Sequence, residues 1–93
     1  MIRSFRSRAL RRFYERNDAT GLRPDRADKV RRRLDALAEA EVARDLDLPG
    51  FGFHALSGDR RGRFALTVSR NWRLTFGFAD GDAIDVDLED YHG

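Results

Sequence analysis

The sequence predicts a single α+β domain in which two N-terminal helices pack on an antiparallel β-sheet. Apolar residues recur at helical spacing in the first half of the chain, and they alternate with polar residues in the second half. Three alternating runs follow one another with short connectors, which is the pattern of an antiparallel meander. Residues 1–93 are too few for a second core, so we expect one domain.

Two helical patterns fill the first half, after a short β-like segment, IRSF. In SRALRRFYER the apolar residues share one face of a helix and arginines occupy the other. The loop NDATGLRP follows, and it ends at Pro24, a residue that suits the first turn of a helix. A second helix is predicted from Asp25. The apolar faces are Ala9, Leu10, Phe13 and Tyr14 in the first helix and Ala27, Val30, Leu34, Leu37 and Ala38 in the second.

The second half is predicted to form strands. FALTVS, WRLTFGF and AIDVDLE each alternate apolar and polar residues, and FHAL before them is expected to be a fourth strand. Asp80-Gly81 between the last two runs favours a tight hairpin turn with positive φ at both residues. The residues expected to face the helices are Phe64, Leu66, Val68, Trp72, Leu74, Phe76, Phe78, Ile84, Val86 and Leu88.

Charge is distributed unevenly along the chain. Residues 1–44 carry 13 Arg and Lys against 7 Asp and Glu, whereas residues 45–93 carry 5 against 9. All of the 18 basic residues except Lys29 are arginine, whose planar guanidinium suits bidentate phosphate contacts, although a GC-rich coding sequence produces the same bias. The basic half therefore predicts attraction to a polyanion.

Composition excludes several classes of protein. The chain has no cysteine, which excludes a disulfide scaffold and a Cys-ligated zinc site. No early apolar run is long enough for a signal peptide or a membrane span, so we expect a cytoplasmic protein without a membrane partner. The P-loop, dinucleotide-binding and HExxH motifs are absent. Two histidines with scattered carboxylates are a weak ligand pattern, so no metal or other cofactor is expected.

Candidate catalytic groups concentrate in LEDYHG, where the chain ends. Asp90, Tyr91 and His92 follow the last predicted strand, which tethers them to the sheet. His92 has no apolar pattern around it and suits proton transfer near neutral pH. His54 lies between apolar neighbours in FGFHALSG, a pattern that fits either a buried structural role or a catalytic one.

Arginines of the second half are candidates for contacts with phosphate. Arg60, Arg61 and Arg63 lie in GDRRGR, which is either a solvated connector or a phosphate-binding turn. Arg73 lies on the polar face of its strand. It can pair with an aspartate of the next strand, Asp85 or Asp87, or neutralise a reacting phosphate.

These segments together resemble the HigB toxins of the RelE/ParE superfamily. The resemblance spans nearly the whole chain and is most specific in LPGF, L-x-G-x-R-x-G-R, NWRLTF and the terminal DGDAIDVDLEDYH. It implies a microbial-ribonuclease-like fold and a toxin of a bacterial type II toxin–antitoxin system. It also implies metal-independent endoribonuclease activity on mRNA in the ribosomal A site, often at adenine-containing codons.

The resemblance further implies partners and site residues. The partners would be the 70S ribosome with its mRNA and a HigA-like helix-turn-helix antitoxin, with operator DNA reached only through that antitoxin. Residues similar to catalytic positions of the family are His54, Arg73, Asp90, Tyr91 and His92. Residues similar to its RNA-binding positions are Arg60, Arg61 and Arg63.

Three departures from the family pattern stand out. Ala55-Leu56-Ser57 stands where the family has Pro-Leu-Lys, so a positive charge near the site is lost. Phe64 replaces a tryptophan, and Ser69-Arg70 replaces an Asn-Gly turn. A ParE-like inhibitor of DNA gyrase and an RNA-binding module without catalysis are the alternative functions. The intact Asp-Tyr-His end argues against the first, and Ser57 favours the second.

The implied chemistry is attack of a ribose 2′-OH on the adjacent phosphorus, which gives a 2′,3′-cyclic phosphate and a 5′-hydroxyl. We expect Asp90 or His92 to transfer a proton on one side of the phosphate, and His54 or Tyr91 to orient or transfer one on the other. The arginines of the predicted strand region, Arg63 and Arg73, would stabilise charge. The sequence leaves open which group is the base and which the acid.

Arginines of the first half are too many for one small active site. They are expected to contact ribosomal RNA or the antitoxin, or to form a solvated basic face. These arginines are Arg6, Arg8, Arg11, Arg12, Arg31, Arg32 and Arg33.

Overall fold

A computed structural model describes residues 1–91, and His92 and Gly93 lie outside the described residues. Both helices precede the strands, and the predicted α+β class is confirmed. The helices are α1, Arg8–Arg16, and α2, Pro24–Glu39, and the strands are β1, His54–Ala55, β2, Arg63–Thr67, β3, Trp72–Ala79, and β4, Asp82–Asp90. Short 3-10 helices at Ala43–Leu46 and Gly58–Arg60 lie in the connections. Within residues 1–91, no helix has the length and apolar character needed to cross a membrane.

Helix α1 is capped at both ends. The Ser7 hydroxyl accepts a hydrogen bond from the backbone N–H of Leu10, which satisfies one free donor of the first turn. Asn17 ends the helix in the left-handed conformation, with φ of 56°, which asparagine tolerates better than most residues. Leu10 and Phe13 are buried, which confirms the predicted apolar face.

Helix α2 begins at Pro24, where the missing backbone N–H costs no helical hydrogen bond. It ends at Glu39, and the next residue, Ala40, is extended. Val30, Leu34 and Leu37 are fully buried, as expected for the apolar face of this helix.

Arg33 of α2 is a buried part of the framework. Its side chain is 6% exposed, and its guanidinium donates to the backbone carbonyls of Thr67, Lys29 and Gly50 over 2.7, 3.0 and 3.0 Å. The same group lies over the Phe51 ring. The expectation that Arg33 belongs to a basic face is therefore wrong, because its charge joins the helix to the sheet and the adjacent loop.

The strands form one antiparallel sheet in the order β1-β2-β3-β4, and the predicted fourth strand is confirmed. Leu66, Leu74 and Leu88 lie opposite one another across β2, β3 and β4. Asp80 and Gly81 join β3 to β4 with φ of 54° and 82°, as predicted for this turn.

A bulge in β4 changes which residues face the helices. The pairing with β3 shifts next to Gly77, and Asp85 at this step has φ of 50°. Ala83 and Val86 are fully buried in the core, whereas Ile84 lies opposite Gly77 on the other face. The expectation that Ile84 faces the helices is wrong, because the extra residue resets the alternation.

The segment before α1 covers the free edge of β4. Ile2 and Phe5 form parallel bridges to Ala83 and Val86, so IRSF is β-like as expected. The helices then cover one face of the sheet only. The opposite face, which we call the outer face, carries the polar side chains of β2, β3 and β4.

Candidate active site

Side chains from all four strands meet on the outer face because the strands are in register. His54 lies opposite Ala65, which lies opposite Thr75. One row along, Arg73 lies opposite Glu89. Directly paired residues in an antiparallel sheet point to the same face. The register therefore brings a histidine, a threonine, an arginine and a glutamate onto one surface.

A chain of hydrogen bonds crosses this surface. Arg60 Nη2 donates to Glu89 Oε2 over 2.5 Å, and the Thr75 hydroxyl donates to the same oxygen over 2.5 Å. Arg63 Nη2 in turn donates to the Thr75 oxygen over 3.0 Å. The Glu89 carboxylate thus pairs directly with Arg60 and is linked to Arg63 through the Thr75 hydroxyl.

Glu89 is ionised at neutral pH. Burial alone would raise the pKa of its carboxyl, but hydrogen bonds from Arg60 and Thr75 and the charges of Arg60 and Arg63 outweigh burial and lower that pKa below its ordinary value. The hydrogen bond to Glu89 likewise raises the pKa of Arg60. Both groups of the pair are therefore charged at neutral pH.

Arg63 supplies a positive charge from within the sheet. Burial, and secondly the charge of Arg6, lower its pKa, but the guanidinium remains protonated. Its Nη2 also donates to the Asp85 carbonyl over 2.9 Å. Within residues 1–91, its buried Nε has no hydrogen-bond partner. The outer face consequently lies above a cation, which favours an anion there.

Tyr91 is attached to the sheet by its backbone and by two arginines. Its N–H donates to the Asn71 carbonyl over 2.6 Å. Arg60 Nη1 lies 3.4 Å from its hydroxyl oxygen, and the Arg73 guanidinium lies over its ring. The side chain is 38% exposed. The predicted tethering of the tail is confirmed at Tyr91, and the phenol can reach a bound molecule.

Arg73 does not form the cross-strand pair with Asp85 or Asp87 that was one of its predicted roles. It lies opposite Glu89 instead. Its Nη1 donates to the backbone carbonyls of Ser69 and Trp72 over 2.8 and 3.1 Å. These bonds fix the guanidinium at the end of β3, beside Tyr91.

His54 is exposed on β1, so the buried structural role is wrong for this residue. Its Nδ1 lies 3.1 Å from the Gly52 carbonyl oxygen. A carbonyl oxygen only accepts hydrogen bonds, so this contact requires the proton on Nδ1 and leaves Nε2 of the neutral ring as an acceptor. That tautomer suits a general base.

The other predicted residues are less closely grouped. Asp90 lies opposite Trp72, so strand alternation directs it to the helix side of the sheet, away from Tyr91. Arg61 is exposed at the end of the Gly58–Arg60 helix. His92 lies outside the described residues. Across residues 1–91, no three His, Asp or Glu side chains converge in a metal-binding group.

Two central residues of the network were not singled out from the sequence. Thr75 received no role, and Glu89 was assigned to the polar side of a strand. If the hairpin that turns at Asp80-Gly81 were regular, Arg73 would lie opposite Leu88. The extra residue of the bulge shifts the pairing by one position, so that Arg73 lies opposite Glu89. The signal that could have found Glu89 is therefore a bulge in β4, which alternation alone does not show.

Two helices on one face of a four-stranded antiparallel sheet are consistent with the RelE-like fold. Residues 3–92 match the family described as the RelE-like toxin of the type II toxin–antitoxin system HigB. The chain belongs to this HigB-like toxin family, which confirms the resemblance seen in the sequence. A toxin of such a system has an antitoxin as its partner.

Two relatives are similar over nearly their full length. Endoribonuclease HigB of Proteus vulgaris is 37% identical over 92 residues, which cover 99% of this chain and 100% of the relative. Toxin HigB-1 of Vibrio cholerae serotype O1 (strain ATCC 39315 / El Tor Inaba N16961) is 31% identical over 91 residues, 96% of each chain. The family match over residues 3–92 and both relatives therefore indicate the same toxin family.

Proposed function

We propose that this toxin is an endoribonuclease that cleaves mRNA on the ribosome and thereby inhibits translation. The observation that carries the proposal is the outer face, where His54, Tyr91, Arg60 and Arg73 lie on one open surface. The relative from Proteus vulgaris is named an endoribonuclease and matches the full length of this chain, which supports the same activity here.

The reaction is an internal transesterification that needs no group beyond a base, an acid and positive charge. The base removes the proton of a ribose 2′-OH, whose oxygen attacks the adjacent phosphorus. The bond from phosphorus to the 5′-oxygen breaks, and the acid gives that oxygen a proton. The products are a 2′,3′-cyclic phosphate and a 5′-hydroxyl. Proton transfer of this kind contributes about 10²–10⁴ in rate.

Three residues are the candidates for proton transfer at the outer face. His54 or Tyr91 serves one side of the phosphate, and His92 serves the other, whereas Asp90 is directed to the helix side of the sheet. The free Nε2 of His54 favours the role of base. Tyr91 accepts a hydrogen bond from Arg60, so its own proton is free to be donated to the substrate.

Arginines stabilise the charge that develops on the phosphorane. Arg73 lies beside the Tyr91 ring and contacts the reacting phosphate, and Arg63 adds its field from within the sheet. A positioned donor of this kind contributes roughly 10²–10³ in rate. Arg61, exposed at the loop, contacts a neighbouring phosphate of the same strand.

Dependence on the ribosome is inferred from the exposure of the outer face, where His54 and Tyr91 are both exposed. An open sheet surface aligns a flexible RNA strand poorly, so much of the positioning must come from elsewhere. The ribosome supplies it by holding the codon in its A site. Naked RNA is therefore cleaved weakly or not at all.

The proposal extends to the partners. The antitoxin is a HigA-like helix-turn-helix protein, and it is the component that binds operator DNA. The toxin itself acts in the cytoplasm on the 70S ribosome and its mRNA. Co-purification of the toxin with the product of an adjacent helix-turn-helix gene tests the first statement, and loss of operator binding when that product is removed tests the second.

Primer extension on a reporter mRNA in a cell-free translation system tests the proposed function. The proteins compared are the wild type, His54→Ala, Tyr91→Ala, His92→Ala and, as a control, Glu39→Ala at an exposed position of α2. We expect in-frame cuts that require translation, fade in the three site variants and persist in the control.

Intact mRNA in every lane would contradict nuclease activity. Relaxed or cleaved plasmid DNA in expressing cells would then indicate gyrase inhibition, and ribosome binding without cuts would indicate an RNA-binding module.

A further inference from the structure

Glu89 is held more firmly than a typical surface carboxylate. Its side chain is 24% exposed, and a single oxygen, Oε2, accepts from both Arg60 and Thr75. Exposed ion pairs are usually mobile, but two donors on one partly covered oxygen restrict both position and orientation. The contact also spans the fold, because Arg60 lies in the Gly58–Arg60 helix and Glu89 lies on β4. Glu89 therefore fixes the loop above the outer face.

The geometry of the guanidinium passes this restraint on to Tyr91. Arg60 Nη2 is bonded to Glu89, while Nη1 of the same planar group lies 3.4 Å from the Tyr91 hydroxyl oxygen. Because the guanidinium is rigid and planar, fixing Nη2 fixes the direction of Nη1. The position of the donor beside Tyr91 is consequently set by Glu89.

The hydrogen bonds of the network have a defined direction. Arginine only donates, so Thr75 accepts from Arg63 and must turn its own proton toward Glu89. Tyr91 likewise accepts from Arg60, which leaves its hydroxyl proton for another acceptor. The donations from Thr75 and from Arg60 converge on Glu89, so this arrangement requires the Glu89 carboxylate as the acceptor at the centre.

We propose that Glu89 is a positioning residue of the nuclease, acting through Arg60 to hold the Tyr91 hydroxyl where it donates to the RNA phosphate. Thr75 supports it by occupying the same carboxylate oxygen. The inference rests on the proposed nuclease function and adds to it two residues, Glu89 and Thr75, that lie behind the reacting groups. Arg60 is thereby assigned to the placement of Tyr91.

Single-turnover cleavage on ribosomes programmed with a defined mRNA tests this assignment. We expect Glu89→Gln to lower the rate constant at saturating toxin by about tenfold to a hundredfold, because small displacements of a reacting group have effects of this size. The half-saturating toxin concentration should change less than threefold. Glu39→Gln, an exposed change on α2, is the matched control and should cleave at the wild-type rate.

Thr75 provides a second pair of variants that keep the charge of the site. Thr75→Val removes the hydroxyl at nearly constant shape, and Thr75→Ser retains it. We expect Thr75→Val to slow cleavage at least fivefold and Thr75→Ser to stay within twofold of the wild type. Equal rates for the two variants would overturn the proposal.

A double-mutant cycle with Tyr91→Phe separates positioning from an independent role. If Glu89 acts through the Tyr91 hydroxyl, adding Glu89→Gln to Tyr91→Phe slows cleavage less than twofold further. Multiplication of the two single effects, or wild-type cleavage by Glu89→Gln, would overturn the assignment while leaving the nuclease function intact. Absence of cleavage by the wild-type toxin would instead overturn the proposed function, and this inference with it.

Discussion

The guanidinium of Arg73 lies over the ring of Tyr91, with Cζ 5.5 Å from the ring centroid. The first residue belongs to β3 and the second follows the last strand, so this contact joins the middle of the sheet to the end of the described chain. Nη1 of Arg73 is also bonded to the carbonyls of Ser69 and Trp72. Arg73 is therefore fixed before any substrate is bound.

Replacing Arg73 by lysine should impair both stability and cleavage. Lysine keeps the charge but loses the planar guanidinium that lies over the Tyr91 ring, and its flexible stem no longer holds the cation against the carbonyls of Ser69 and Trp72. We expect the free energy of unfolding to fall by about 1 kcal/mol and the cleavage rate to fall about tenfold or more. Urea unfolding and single-turnover cleavage measure the two effects. Arg70→Lys in the same turn is the control, and an equal loss of activity there would contradict a specific role for Arg73.

Gly52 should not tolerate a side chain. It has φ of 59°, and a Cβ there would lie 2.5 Å from Thr67 Oγ1. Gly50 also has positive φ, 82°, but its Cβ would meet nothing within 4 Å. Gly52→Ala should therefore destabilise the protein by about 1–3 kcal/mol more than Gly50→Ala, as overpacking does.

The same substitution should reduce cleavage, because the Gly52 carbonyl holds the His54 ring. Thermal unfolding and cleavage at a temperature where both alanine variants are folded separate the two effects. Thr67→Ala in the Gly52→Ala background removes the Oγ1 atom of the close contact and should restore part of the stability. Equal stability of Gly50→Ala and Gly52→Ala would contradict the close contact.

Arg33 should be the most costly arginine to remove. Arg33→Met would leave three backbone carbonyls without their donor, so we expect a loss of about 3 kcal/mol in the free energy of unfolding. Arg32→Met, at the exposed neighbouring position, should change it by less than about 0.5 kcal/mol. Denaturant unfolding checks both, and similar values for the two variants would contradict the framework role of Arg33.

The contribution of Glu89 to stability should depend on pH. Its pKa is lowered in the folded protein, so the stabilisation is fully present above the pKa of the unfolded chain, about 4.3, and is lost as pH falls through the lowered folded value. The advantage of the wild type over Glu89→Gln in the free energy of unfolding should thus be constant near pH 7 and shrink in acid. We expect it to be about 1 kcal/mol, because Arg60 is partly exposed. A difference that grows as pH falls would contradict the ion pair.

The helices and strands could be predicted because their patterns are local. Ser7 and Pro24 indicate where helices begin, and alternation in β2 and β3 identifies the core face from sequence alone. Ile84 was assigned to the wrong face of the sheet because regular alternation identifies the core face only until a bulge interrupts the strand. The bulge at Asp85 uses a positive φ that aspartate adopts more readily than most residues, but the neighbouring Asp82 and Asp87 share this property, so residue type does not mark the position.

The candidate site was predictable in part for the same reason. Tyr91 could be placed from the sequence because a predicted strand leads directly into it. The exposure of His54 could not be predicted, since its apolar neighbours are equally typical of a buried histidine. The contact between Arg60 and Glu89 joins residues 29 positions apart through a loop whose path the sequence does not specify. Such contacts depend on tertiary packing and not on local pattern.

The two tyrosines of the chain allow the most direct test of whether the outer face performs the reaction. Tyr91→Phe removes a hydroxyl from the outer face, and Tyr14→Phe removes one from the helix side, where the ring packs against Phe5. Single-turnover cleavage of mRNA on programmed ribosomes should be slowed at least tenfold by Tyr91→Phe and unchanged by Tyr14→Phe. Wild-type cleavage by Tyr91→Phe, or an equal loss in both variants, would contradict an active site on the outer face.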